Sequence, residues 1–441
     1  MRYAEVLAHL DGLQMHKIKL GLAAMRDFLD RVGHPEEALR FVHVAGTNGK
    51  GSVCAALAEI LHRAGYRIGV FTSPHLSSVR ERFRIGPTPI SEEEFARLGA
   101  QIMTVLGPER ITYFEFTTAL ALLWFAETGV DLVVLETGMG GRLDATNVVH
   151  PDVAVITSIS MDHEAYLGNT LVQIAREKAG IIKSGVPVVS GGIHPEAAEV
   201  IAARARELDA PLFVLGQNFD YQRIPDGTWC WQCGTGLAGR DISGLRSSRP
   251  SLAQQENDSL ALAALALLAR RGFSVSPDHI RQGLAAVSWP GRMEYFEQHA
   301  ARQKEGIDSG GVVQRFLLDG AHNPAGVKNL AESLRENFHY RRLIAVWGSM
   351  VDKDLAATLG YIVPLVDLLV ITQPDGERAA TPVHVREFLP EADRNRARLC
   401  PDVAEALAMA RSHAGSEDLI LVSGSLYLLG AVRAMLLGEL V

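Results

Sequence analysis

Two α/β domains are predicted by two observations. Short Val- and Ile-rich runs alternate with longer helical patterns, as parallel sheets built from βαβ units require. That alternation stops at Gln217, gives way to Gly-, Arg- and Ser-rich sequence as far as Pro250, and resumes after WPGRMEYFEQ. In the first half, FVHVA reads as a strand, CAALAEILHRAG as the helix that follows it and RIGVFT as the next strand. TTALALLWFAETG then reads as a helix, DLVVLE and VAVITS as strands, and LVQIAREKAGIIK as a further helix, completing a doubly wound unit. The 217–250 segment reads as short strands and loops covering that unit, and LAQQENDSLALAALALLARRG returns to helix. In the second half RFLLDG, RRLIAVWG, DLLVITQ and EDLILVSG are the strands, with helices from Asn323, after Lys353 and at the C-terminus. The boundary is placed near Ser288 to Arg292, giving a larger domain over 1–288 and a smaller one over 289–441. The cleft between them is the natural place for a reaction.

Composition narrows the partners. With 47% hydrophobic and 21% charged residues in a chain of 441, the protein has the make-up of a globular domain rather than a disordered one. Its 43 basic and 51 acidic residues give a net charge of −8, and no Lys/Arg run offers the basic face that nucleic acid needs. A small-molecule partner is expected. No apolar run approaches the roughly 20 residues that span a bilayer, and MRYAEVLAHLDGLQ lacks the uninterrupted apolar core of a signal peptide. A cytoplasmic location without membrane contact is therefore expected. Cys230 and Cys233 form WCWQC, but the flanks read as a strand between turns. A redox pair uses a helix start to lower its thiol pKa, and a zinc site needs a second ligand pair, so neither role is assigned.

The chemistry starts at HVAGTNGKGSV. A strict G-x-x-x-x-G-K-[ST] phosphate loop would need a glycine at Val44 and a hydroxyl at Gly51. The physical requirements are nonetheless met: a strand, a glycine turn whose N–H groups point inward, and a helix N-terminus facing the anion. Gly46, Gly49 and Gly51 allow close backbone approach, Lys50 supplies a cation and Ser52 a hydroxyl. A plain glycine turn would not ask for a lysine between glycines followed by serine. Nucleotide binding is expected, and with it Mg²⁺, which takes one or two protein oxygens beside phosphates and water. Glu136 ends DLVVLE at the carboxyl edge of the sheet, where open α/β sheets bind ligands; a lone acid there could equally be a cap or a surface charge. Ser73 and His75 of FTSPHL, and Asp162 and His163 of ISMDHEAYLG, fall at the same edge, and a core would not hold such a polar cluster without a function.

In this order AGTNGKGS, FTSPHL, LETGMGGRLDATN, MDHEAYLG, REKAGI, PGRMEYF, LDGAHNP, DKD and SGSLYLLG resemble the motifs of the folylpolyglutamate and dihydrofolate synthases in the Mur ligase superfamily. The resemblance runs from about Gly21 to Arg433 and accounts for the unusual loop, since G-T-N-G-K-G-S is that superfamily's own form. It implies an N-terminal P-loop-containing, Mur ligase-like ATPase domain and a smaller C-terminal Rossmann-like glutamate ligase domain. By that similarity Gly46, Thr47, Asn48, Gly49, Lys50, Gly51 and Ser52 would hold the phosphates of ATP, with Asn257, Arg292 and Asp319 as further nucleotide contacts. Ser73, Glu136 and His163 would ligate a pair of magnesium ions. Lys178 in REKAG matches a position that is often a carbamate in the family, although an unmodified lysine pairing with phosphate is the other possibility. His322 would face nucleotide and amino acid, and Phe114, Phe116, Thr117, Asp144 and Ala145 would line the pterin pocket.

The activity implied by the resemblance is that of an ATP-dependent ligase, in which the γ-phosphate activates a carboxylate as an acyl phosphate and the amine of L-glutamate attacks. Lys50, Lys178 and His322 are its expected catalytic residues. The acceptor is dihydropteroate, a reduced folate or both; the form of GGRLDATN favours both. Alternatives are polyglutamylation alone, a cell-wall amino-acid ligase, for which no N-terminal uridine-nucleotide domain precedes the loop, and a non-enzymatic nucleotide switch. The family suggests a monomer.

Overall fold

The computed structural model describes residues 2–14, 21–237, 239–248, 251–299 and 313–438. Residues 238, 249 and 250 of the Gly/Arg/Ser-rich segment lie outside the described residues.

Strands β1 (Phe41–Ala45), β2 (Ile68–Phe71), β3 (Phe83–Ile85), β4 (Thr88–Pro89), β5 (Leu132–Glu136), β6 (Val153–Ile156), β7 (Val188–Ser190) and β8 (Leu212–Val214) form one sheet in the order β4-β3-β2-β5-β1-β6-β7-β8. From β2 to β8 the pairs are parallel, while β3 and β4 form an antiparallel edge. Every residue of β1 and β5 is buried, because helices cover both faces, which is why these strands read as unbroken apolar runs rather than alternating ones. Val42, Val44, Leu132 and Val134 pack toward the helices Lys50–Arg63, Leu252–Ala269 and Pro277–Ala286. Phe41, Val133 and Leu135 pack the other way, against Tyr3–Gln14, Ala23–Val32, Glu92–Leu106 and Tyr113–Thr128. Burying each such side chain stabilises the unit by about 1.5–3 kcal/mol relative to exposure.

The 217–250 segment supplies β9 (Phe219–Arg223), β10 (Trp229–Cys233) and β11 (Ile242–Leu245), a small antiparallel sheet. Trp229 and Trp231 are buried with the Leu252–Ala269 helix in the core of the first unit. WCWQC is thus a strand, as expected. Its two cysteines are free, and burial together with the nearby Asp241 carboxylate raises the Cys233 thiol pKa.

A second sheet has the order β12-β13-β17-β14-β15-β16, from β12 (Glu294–His299), β13 (Val313–Leu318), β14 (Leu343–Trp347), β15 (Leu368–Ile371), β16 (Ala397–Leu399) and β17 (Leu419–Ser423). It is parallel except for β12, which pairs antiparallel with β13. Both sheets are therefore α/β sheets of the open type. Among the described residues no helix is long and apolar enough to cross a membrane.

Topology places the site. From β1 the chain runs to β2 on one side, while from β6 it runs to β7 on the other. The crevice beyond the carboxyl ends of β1 and β6 is thus a switch point, where such sheets hold ligands.

Candidate active site

The loop after β1 crosses this crevice. Gly46 has φ +153° and Gly49 φ +84°, conformations that side chains disfavour. A Cβ on Gly46 would lie 1.8 Å from Thr157 Oγ1, and one on Gly49 2.2 Å from Asn257 Oδ1. The turn is pinned to the strand beside it: Thr47 N donates to Ser158 O (2.7 Å), Asn48 N to Ser158 Oγ (3.0 Å), and Thr157 Oγ1 donates to Asn48 O (2.6 Å). Lys50 begins the Lys50–Arg63 helix and curls back, its Nζ donating to the carbonyls of Gly46 and Thr47 at 3.1 Å each.

Gly51, the residue that departs from the common pattern, has a local cause. A Cβ there would lie 2.7 Å from Cζ2 of Trp289, whose indole packs against the helix start. Restoring the common hydroxyl by Gly51→Ser should therefore displace Trp289. The expected loss is about 1–3 kcal/mol, as for overpacking elsewhere, read as a lower urea midpoint. An unchanged midpoint would mean that the indole moves aside freely.

The loop opens into a cavity of about 650 Å³ lined from both sheets. All seven loop residues from Gly46 to Ser52 line it, as do Ser73, Glu136, His163, Lys178, Asn257, Arg292, Asp319 and His322. Phe114, Asp144 and Ala145 line it as well. Phe116 and Thr117 do not. Both are fully buried; Phe116 packs with the His9 ring at 5.9 Å, and Thr117 Oγ1 donates to Phe114 O (3.0 Å). Placing them in the pocket is corrected: on the Tyr113–Thr128 helix each residue turns about 100° from the last, so Phe116 faces the core, while Thr117, on the side of Phe114, is buried with its hydroxyl turned back to the Phe114 carbonyl.

Glu136, at the end of β5, is 3% exposed and accepts a hydrogen bond from Ser73 N (3.1 Å). Burial raises its pKa, opposed by Lys50, by the Ser73 N–H and by Arg292 and Arg82. A carboxylate in this position gains from a cation. His163 has φ +52°, and desolvation, opposed by Asp162, lowers its pKa to about 4, leaving a neutral imidazole with a lone pair to give. Among the described residues no group of three His, Cys, Asp or Glu side chains is placed to hold a metal ion by itself. One carboxylate, one imidazole and a serine hydroxyl nevertheless suit Mg²⁺, which retains water and phosphate oxygens. Lys178 is buried and donates to Gly46 O at 2.7 Å, the carbonyl that Lys50 also uses. Burial, then repulsion from Lys50, lower its pKa to about 7.

The second sheet reaches the loop through three elements. Asp319, after β13, accepts from Met293 N and Ala321 N at 2.9 Å each. This fixes the turn that carries Arg292, whose guanidinium shares with Leu426 the space left by Gly320. His322 Nδ1 lies 2.8 Å from Gly320 O. Asn323 caps the Pro324–Asn337 helix and forms a reciprocal amide pair with Asn48 of the loop, at 3.0 and 3.1 Å.

Two features escaped the sequence. Asp162 gathers Lys353 Nζ (2.6 Å), Asn323 Nδ2 (3.0 Å) and His322 Nε2 (3.7 Å) from the second unit. Against the cost of desolvation, His322, His163 and Lys353 hold its pKa far below the usual carboxylate range. Arg82, buried beside the cavity, donates Nε to His75 Nδ1 (2.9 Å) and lies 5.3 Å from the Tyr113 ring centroid. The VRERFR run that contains it was the available signal.

Comparison with known proteins agrees with this geometry. The Mur ligase middle domain matches residues 44–190, and the Mur ligase, glutamate ligase domain matches residues 291–426. A dihydrofolate synthase/folylpolyglutamate synthase of Bacillus subtilis is 34% identical over 98% of this chain and 99% of its own. E. coli FolC in complex with DHPP and ADP superposes with a TM-score of 0.86 at 35% identity, over 99% of this chain and 97% of that one. A bifunctional folylpolyglutamate synthase/dihydrofolate synthase with Mn, AMPPNP and L-glutamate bound superposes at 0.84 with 36% identity, over 99% and 98%.

Proposed function

The chain belongs to the dihydrofolate synthase/folylpolyglutamate synthase family of Mur ligases, and from that premise we propose that it adds L-glutamate to dihydropteroate and to reduced folates alike. It is an ATP-dependent ligase acting on small molecules, with a divalent cation as cofactor. The observation that carries the wider reading is the shared cavity in which the phosphate loop, Glu136 and Lys178 meet Phe114 and Asp144.

The γ-phosphate passes to the acceptor carboxylate, releasing ADP. The glutamate amine then attacks the acyl phosphate, forming the amide and releasing phosphate and a proton. Lys50 and the loop amides hold the phosphates, with Ser52, Asn257, Asp319 and Arg292 around the nucleotide. Ser73, Glu136, His163 and, if carbamylated, Lys178 would hold two magnesium ions, which would supply charge to offset that of the phosphates. His322 stands where the amino acid enters, and Arg82, whose Nε is engaged by a neutral histidine, offers its guanidinium to a glutamyl carboxylate. Water is excluded when the 289–441 domain closes on 1–288. The site as read needs no residue from a second copy, and the chain is proposed to act as a monomer in the cytoplasm.

Given ATP, Mg²⁺ and glutamate, the protein should release phosphate with dihydropteroate and with tetrahydrofolate. No turnover of dihydropteroate removes the first activity, and phosphate release that ignores glutamate identifies a switch. Asp144→Ala should raise KM for dihydropteroate about tenfold, the size of one buried hydrogen bond to a charged group. A reduced folate should suffer less, because its glutamyl carboxylate keeps Arg82. Equal losses sink that argument.

With a pKa of about 7, Lys178 is half amine near neutrality, and the amine is the form that adds CO₂. Activity should therefore fall in CO₂-depleted buffer and return with bicarbonate, more readily above pH 7 than below it. Indifference to bicarbonate would leave an unmodified lysine.

A further inference from the structure

His43 sits in the middle of β1 and is wholly buried, pairing in register with Leu135 on one side and Ala154 on the other. A polar ring in the middle of a strand whose other side chains are all apolar needs a reason. Its Nε2 lies 2.8 Å from Thr146 Oγ1, and Thr146 Oγ1 donates to Asp144 Oδ1 at 2.6 Å. Thr146 N also donates to that oxygen (3.1 Å), and Met139 N donates to Asp144 Oδ2 (2.8 Å). Each side chain in this line is at least nine-tenths buried.

The line could run in either of two directions. Either His43 Nε2–H donates to Thr146, which donates to an ionised Asp144, or a protonated Asp144 donates to Thr146, which donates to bare Nε2. Nδ1 decides, because it is buried with no hydrogen-bond partner among the described residues. The first direction leaves a lone pair unmatched there; the second leaves an N–H. Buried orphan N–H groups are the rarer and costlier defect. Burial, helped by Lys183, keeps the ring neutral by lowering its pKa to about 3, so Nδ1 gains no proton.

We propose that His43, acting through Thr146, is a positioning residue that holds Asp144 as a pure hydrogen-bond acceptor, so that this end of the cavity selects a ring edge rich in N–H donors. The inference rests on the pterin reading of the pocket. It adds that the reading head is set from the core of the sheet, by a residue with no access to substrate. Burial raises the pKa of Asp144, and the Thr146 hydroxyl, then the Met139, Thr146 and Gly138 N–H groups, oppose that rise; losing the hydroxyl weakens the opposition and moves the carboxyl toward its protonated form, which presents a donor where an acceptor is wanted.

Three variants and one spectrum test this. His43→Leu removes the donor and keeps an apolar fill, Thr146→Val breaks the chain in the middle with little change of shape, and His43→Gln returns an N–H near the position of Nε2. His43→Leu and Thr146→Val should each raise KM for dihydropteroate about tenfold, with KM for ATP and kcat nearly unchanged. The double variant should be no worse than either alone, and His43→Gln should recover most of the affinity. In ¹⁵N-histidine NMR, the signal lost in His43→Gln should belong to the Nε2–H tautomer. If Asp144→Ala weakens dihydropteroate while the two single variants do not, the positioning role is overturned. If Asp144→Ala has no effect, the pterin reading fails instead. An Nδ1–H or doubly protonated ring overturns the direction of the chain, and the spectrum of the unaltered enzyme gives that answer even if His43→Leu does not fold.

Discussion

Lys50→Ala should reduce turnover at saturating ATP by about 10³-fold, since losing one preorganised donor to developing charge already costs 10² to 10³. Two effects combine. The loop loses its only lysine, and Lys178 loses the neighbour that helps depress its pKa. Lys178 then holds its proton more firmly and accepts CO₂ less readily. The fold should be unaffected, because the Lys50 side chain is only partly buried and its bonds reach backbone carbonyls of its own loop. Phosphate release and a thermal melt check both parts. Activity within a few-fold of the unaltered protein would mean that the phosphates lie elsewhere.

Glu136→Gln should separate activity from stability. Turnover should again fall about 10³-fold through loss of the cation's carboxylate, yet the metal-free protein should melt no lower and even slightly higher. The sign follows from the raised pKa of Glu136. A carboxyl that ionises less easily in the folded chain than in the unfolded one contributes stability at acid pH and loses it as pH rises through the folded pKa. Near neutrality the ionised side chain is a cost, which glutamine removes. Added Mg²⁺ and nucleotide should raise the melting temperature of the unaltered protein but not of the variant. A variant that melts well below the parent would show that Glu136 serves the fold rather than the ion.

The elements were legible where period and length agreed. FVHVA, DLVVLE and LILVS have no polar face because both sides are covered, and their lengths identify them as strands. The phosphate loop was legible because its function is local, carried by consecutive residues. Features that depend on chain segments far apart were not. Nothing near MDHEAYLG indicates that Asp162 meets Lys353, nor does TNGKGS indicate that Trp289 rests on Gly51. Phe116 and Thr117 were misplaced for a different reason: YFEFTTA was read as a strip, although Phe116 lies across the helix from Phe114, and Thr117, on the near side, is buried and spends its hydroxyl on the Phe114 carbonyl. His43 stood in plain view as the polar residue of a buried strand, but its partner, Thr146, lies more than a hundred residues away.

Asn48 with Asn323, and Asp162 with Lys353, join the two units through amide and charge pairs, whose atoms water can solvate in turn as the halves separate. A greasy seam would resist such parting and would stick if exposed. This side of the cleft is built more like a magnetic catch than a weld: in the closure proposed above it would latch around the reactants and let go of ADP and product without unfolding anything.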